Sequence, residues 1–164
     1  MNRETAHLKI IRWDWLFFTA AMVALILFLA LHENSNTPKG MVTFNLKPVV
    51  RQIEPVLCVV QHCPDFQNVF WLVIINVAGN IAVFMPFGFG LTAAFQHFNA
   101  KRFFPLMVAA TGFLFSLGIE IAQLQVPGRI TDIDDLILNT LGTIAGMALW
   151  YALALLGAGK EANH

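Results

Sequence analysis

The stretch "GRITDIDDLILNTLGTIAG" (128–146) sets Arg129, Asp132, Asp134 and Asp135 at the head of an apolar run that continues to Gly157. From Ile133 that run is long enough to cross ~30 Å of hydrocarbon, which takes roughly 17 to 25 helical residues. Along it, Asp132, Asp135, Asn139, Gly142 and Gly146 recur at steps of three, four, three and four. Such steps put polar and small side chains in one narrow seam of a helix. An ionised side chain at mid-membrane costs ~2.5 to 3.5 kcal/mol on insertion scales, so the seam demands partners from other helices.

The preceding apolar segment supplies matching groups. Gly112, Ser116, Glu120 and Gln123 follow steps of four, four and three, again one helical face. Further upstream Asn76 and Asn80 lie one turn apart, and Asn76 is expected at roughly the depth of Asn139 from the ~1.5 Å rise per residue. Three helices are thus expected to bring amides and carboxyls to a common level, with Gly79, Gly112, Gly142 and Gly146 letting the backbones approach. Pro86, with Gly88 and Gly90 beyond it, predicts a kink or break in its helix. Arg129 sits in the turn between Glu120 and the Asp cluster, where its planar fork can take a carboxylate bidentately. One Arg cannot neutralise Glu120, Asp132, Asp134 and Asp135 together, so a cation, water or a protonated carboxyl is expected to complete the balance.

The whole chain fits this setting. Of its 164 residues, 57% are hydrophobic and 12% charged, against roughly 25% charged in soluble domains. Four segments are long and apolar enough to span, at about 13–31, 69–95, 104–124 and 133–157, so the fold class is an all-α integral membrane protein forming one domain over 1–164. The first segment follows Arg3, Lys9 and Arg12 like a secretory signal, but Phe28–His32 offers no small-x-small cleavage site, and a retained anchor is expected. Ten basic and ten acidic residues cancel, which argues against a nucleic-acid partner. The distribution of Lys and Arg favours cytoplasmic termini in a bacterial inner membrane, with the loop 32–68 and the turn 125–132 outside. Lys101 and Arg102 then anchor a cytoplasmic link.

Loop 32–68 is too apolar for a plain linker. Its segment 43–66 mixes Val, Leu and Ile with Lys47, Arg51 and Glu54 between prolines, and reads as an interfacial or re-entrant piece. Cys58 and Cys63 lie in it, either bridged in an oxidising compartment or free. His62 beside them is weak grounds for a metal site, and no metal or other cofactor is expected.

Structural readings compete with functional ones. Thr131 with Asp134, or Asp132 with Asp135, has the spacing of a capping box, and Asp134 is expected to do no more than cap. Asn76 and Asn80 suit interhelical glue as well as a site. The phenylalanines, Phe84, Phe87, Phe113 and Phe115 among them, read as packing or lipid contact.

Taken together, "NVAGNIAVFMPFGFGL" (76–91) and "SLGIEIAQLQVPGRITDIDDLILNTLGTIAG" (116–146) resemble the VanZ-like family of small polytopic bacterial membrane proteins. Asn80, Phe84, Pro86, Gly88, Glu120, Gln123, Arg129, Asp132, Asp135, Asn139, Gly142 and Gly146 follow the family pattern in order. "FNLKP" (44–48) looks like its Asn-Leu-x-Pro stretch, although Val49 stands where the family often has Phe. The resemblance covers roughly residues 15–157 and implies a cell-membrane protein of a family in which some members reduce sensitivity to glycopeptides such as teicoplanin. It implies no reaction.

The candidate ligand-binding residues are therefore Asn76, Asn80, Glu120, Gln123, Arg129, Asp132, Asp135 and Asn139, forming a polar pocket in the outer half of the bilayer. Its expected partner, besides the bilayer itself, is a lipid headgroup or an amphiphilic glycopeptide. Two alternatives stay open: an intramembrane enzyme acting on a lipid-linked substrate with carboxylate or metal assistance, and an assembly partner whose buried polar groups fix helix register.

Overall fold

A computed structural model describes residues 12–32, 43–45, 66–96, 102–126 and 130–161. In chain order the elements are α1 (Trp13–Leu31), β1 (Thr43–Asn45), α2 (Phe66–Ala94), α3 (Phe104–Gln123), β2 (Ile130–Asp132) and α4 (Ile133–Glu161). Among the described residues, four helices are long and apolar enough to cross a membrane. Phe17 and Leu155 are each 74% exposed on the outside of the bundle. Lipid solvates such side chains as well as a protein core would, so this surface is stable only in a bilayer.

α4 packs chiefly on α2 and secondly on α3, while α1 lies against α2. The pairs Asn80–Asp135 and Gly88–Thr143 are each 55 residues apart, so α2 and α4 run parallel. That register puts Asn139 opposite Phe84, about two turns from the level of Asn76. Rise per residue fixes depth only when both helices start at the same height, and α2 begins one turn earlier than the apolar run suggested. Gly88 and Gly146 set the closeness of the contact: a Cβ on Gly88 would collide with the Thr143 carbonyl, and one on Gly146 with the Met85 carbonyl. The expected break at Pro86 is not found, since α2 continues as helix through it to Ala94. The glycines beside Pro86 serve approach rather than loosening; Gly90 faces Thr19 and Phe18 of α1.

Ser116 meets Asn139 and Gly112 meets Thr143, which makes α3 and α4 an antiparallel hairpin. Thr143 is fully buried where α2, α3 and α4 converge, and its hydroxyl donates to the Asn139 carbonyl 3.0 Å away. An apolar cluster of Ile26, Phe84, Phe87 and Ile119 joins α1, α2 and α3. Phe87 and Phe115 stack with centroids 5.2 Å apart. At the other end the Arg12 backbone N–H donates to the Ala94 carbonyl, and Arg12 and Asp14 form an exposed ion pair at 2.6 Å that raises the guanidinium pKa.

The part of the fold not anticipated is a two-stranded parallel ladder, with Thr43 opposite Ile130, Phe44 opposite Thr131 and Asn45 opposite Asp132. It returns the first loop onto the α3–α4 turn and pairs backbone groups that lipid could not satisfy. The rest of the expected interfacial piece, with Cys58, His62 and Cys63, lies outside the described residues, as do the N-terminal basic residues Arg3 and Lys9 and the linker residue Lys101.

Candidate functional site

Sequence places the polar groups of three helices near the ladder end of the bundle, and the packing determines which of them share a space. Asp132 stands immediately before α4, in the N-cap position. Its Oδ1 accepts the Asp134 backbone N–H at 3.0 Å, satisfying one of the donors that a helix start leaves open. Asp134, expected only to cap, has a buried side chain as well.

Glu120 closes the turn from the other side. Its Oε2 accepts the Asp132 backbone N–H at 2.9 Å, and its own carbonyl accepts the Thr131 hydroxyl at 3.3 Å. At 4% exposure, the Glu120 side chain is held inside the bundle by α3 packing against the ladder. One turn on, the Gln123 side-chain amide donates to the Ala30 carbonyl at 3.0 Å. Ala30 is in the last turn of α1, where carbonyls lack intrahelical donors, so Gln123 fixes the end of α1 against α3.

Across the bundle, Asn80 donates to Asp135 Oδ1 at 2.7 Å and to Asn76 Oδ1 at 3.1 Å. Both protons of its amide are thereby engaged. Asn139, 5% exposed, donates to Ser116 Oγ at 2.9 Å. Its carbonyl Oδ1 is buried and has no hydrogen-bond partner among the described residues. A buried acceptor left unmatched costs about 1–3 kcal/mol, so such an atom is uncommon without a role.

These groups surround a cleft of about 180 Å³. All four helices line it: Ile26, Leu29 and Ala30 from α1; Ile75, Gly79, Asn80, Val83 and Phe84 from α2; Ile119, Glu120 and Gln123 from α3; Asp135 and Asn139 from α4. Of the eight residues singled out from sequence, Asn80, Glu120, Gln123, Asp135 and Asn139 meet here. Asn76 stands behind Asn80 as its acceptor, and Asp132 is absorbed by the ladder and the cap. Arg129 lies outside the described residues.

The sequence model of the VanZ/LLP1 family matches residues 15–155. The chain belongs to the VanZ/LLP1 family. No curated protein and no solved structure matches it. The matched range takes in every residue that lines the cleft, so the polar groups of this VanZ/LLP1 protein sit within the family domain rather than on an appendage.

Two contributors to this VanZ/LLP1 cleft were not among the eight. Ser116 orients Asn139, and its place on the Gly112–Glu120 face was the available signal. Ala30 contributes a backbone carbonyl, which no side-chain pattern marks. Chemically, the lining is rich in acceptors: two carboxyls and three amide oxygens, with several of the amide N–H groups already directed at neighbouring helices.

Proposed function

We propose that this VanZ/LLP1 membrane protein binds the polar group of an envelope amphiphile, a lipid headgroup or the corresponding part of an amphiphilic glycopeptide, in the cleft of Asn80, Glu120, Gln123, Asp135 and Asn139. In this reading the cleft lies in the outer half of a bacterial cytoplasmic membrane, the termini are cytoplasmic, and a change in teicoplanin sensitivity is the cellular consequence. Arg129, in the turn beside Glu120, contacts a carboxylate or phosphate of the same ligand.

The observation that carries the reading is the unmatched Asn139 carbonyl lining a cleft bounded by all four helices. Pockets that enclose drug-sized ligands run to roughly 300–1,000 Å³. A cleft of about 180 Å³ is smaller than that, and suits a headgroup or a single polar arm better than a whole glycopeptide. The experiment is to compare wild type with Asp135→Asn and Asn139→Ala at equal membrane abundance, scoring lipid retained by the purified protein and teicoplanin sensitivity of the cells. Loss of both supports the reading; unchanged retention and sensitivity in both variants contradict it.

One set of contacts favours a second reading. Glu120 to the Asp132 backbone, Gln123 to Ala30 and Asn80 to Asp135 each tie separate segments together, as a register-fixing polar core would. That reading expects the same variants to vanish from the membrane instead of persisting without ligand.

A further inference from the structure

We infer that the occupant of the cleft is a bilayer amphiphile bearing a primary ammonium group, and that it enters sideways from the lipid between α1 and α2. This rests on the headgroup-binding reading and narrows it to a chemical class and a route.

The route comes from the shape of the cleft wall. Its inner side is formed by buried Glu120 and Asn139, whereas Leu29 of α1 and Ile75 of α2, which also line it, are 46% and 65% exposed. The open side therefore carries apolar side chains that face lipid, so acyl chains can stay in the bilayer while a headgroup enters. Gly79 lines the same side of α2, and a Cβ built there meets nothing within 4 Å. Unlike Gly88 and Gly146, it is not required by helix contact. Its lack of a side chain leaves the opening clear.

The chemistry comes from donor and acceptor balance. Asn80 has both N–H groups engaged, and Gln123 and Asn139 each direct one to another helix. What the lining presents is the buried, unmatched Asn139 carbonyl together with the Glu120 and Asp135 carboxyls. An occupant that complements this set must donate hydrogen bonds, and a cationic donor makes the stronger bonds to carboxyl oxygens. A primary ammonium has three N–H donors on a compact head. A quaternary ammonium carries the same charge with none.

The test is lipid retention by the full chain, read by native mass spectrometry after release from nanodiscs of phosphatidylglycerol with equal phosphatidylethanolamine and phosphatidylcholine. Wild type is expected to retain the ethanolamine lipid about tenfold over the choline lipid, the ratio expected for a charge-assisted bond made with one and not the other. Gly79→Phe should bring that retention down to the choline level with no fall in thermal stability. Asn139→Leu should do the same, and Ser116→Ala, which removes the same interhelical bond but leaves the carbonyl, should retain the ethanolamine lipid as wild type does. Equal retention of both lipids, lost in Asn139→Leu, overturns the ammonium assignment while the headgroup reading stands. Full retention by Gly79→Phe overturns the lateral route. Retention of every lipid at the Asn139→Leu level by wild type overturns both the inference and the reading beneath it.

Discussion

Asn80 of α2 donates to the Asp135 carboxyl of α4 at 2.7 Å, joining positions 55 residues apart. The bond lies on the parallel contact that orders the bundle, and it leaves the Asp135 carboxyl on the wall of the cleft. Hydrogen bonds between membrane helices average about 0.6 kcal/mol and reach about 1.7. A double-mutant cycle with Asn80→Leu and Asp135→Leu is expected to give a coupling inside that range. Additive effects in a reversible detergent-unfolding assay would show that the bond contributes nothing to α2–α4 pairing.

The glycines separate by what surrounds them. Gly88→Ala and Gly146→Ala force a methyl into the Thr143 and Met85 carbonyls, respectively. Overpacking of this kind costs about 1–3 kcal/mol. Gly118→Ala meets open space and is expected to be neutral or mildly stabilising, since alanine is the better helix former by ~1 kcal/mol. Comparing the three unfolding midpoints checks the close-contact geometry independently of any ligand.

Glu120 has a structural duty and a proposed binding one, and two substitutions divide them. Glu120→Gln keeps an oxygen able to accept the Asp132 N–H, so wild-type abundance and a midpoint within about 1 kcal/mol are expected, with weaker binding of a cationic group. Glu120→Leu leaves that buried N–H unmatched and is expected to destabilise by about 1–3 kcal/mol. Equal abundance and stability of the two variants would show that the turn does not depend on the carboxyl.

Asp132 is expected to behave as a cap. Asp132→Asn or Asp132→Ser can still accept the Asp134 N–H, whereas Asp132→Ala should lower stability by about 1 kcal/mol. Lipid retention should be unaffected by Asp132→Asn, because Asp132 does not line the cleft. A binding defect in Asp132→Asn at wild-type stability would return Asp132 to the ligand site.

How far the sequence carried depended on the kind of interaction. Helix positions were readable because a membrane span is a property of one contiguous segment: α1 runs over Trp13–Leu31 as expected, and α3 ends at Gln123, one residue short. The seam on α4 was readable too, since Asp135 and Asn139 keep helical spacing and meet groups from α2 and α3. Relative height between helices was not readable. It is set by Gly88 and Gly146 seating against Thr143 and Met85, and this moved Asn76 away from Asn139. The ladder was hidden for a similar reason, because a three-residue strand has no periodicity of its own and takes its pairing from a distant turn. Within the site, side-chain type identified Glu120 and Gln123, but their bonds run to the backbone of Asp132 and Ala30, which composition cannot specify.

The central claim is that amide and carboxyl groups from separate helices form one cleft that holds the polar head of a membrane amphiphile. A high-resolution density map of the wild-type protein in ethanolamine-containing nanodiscs tests it most directly. The account predicts headgroup density between α1 and α2, within hydrogen-bond distance of Asn139 Oδ1 and continuous with acyl density outside Leu29 and Ile75. A cleft closed by repacked side chains, or filled by acyl chain alone, would contradict it.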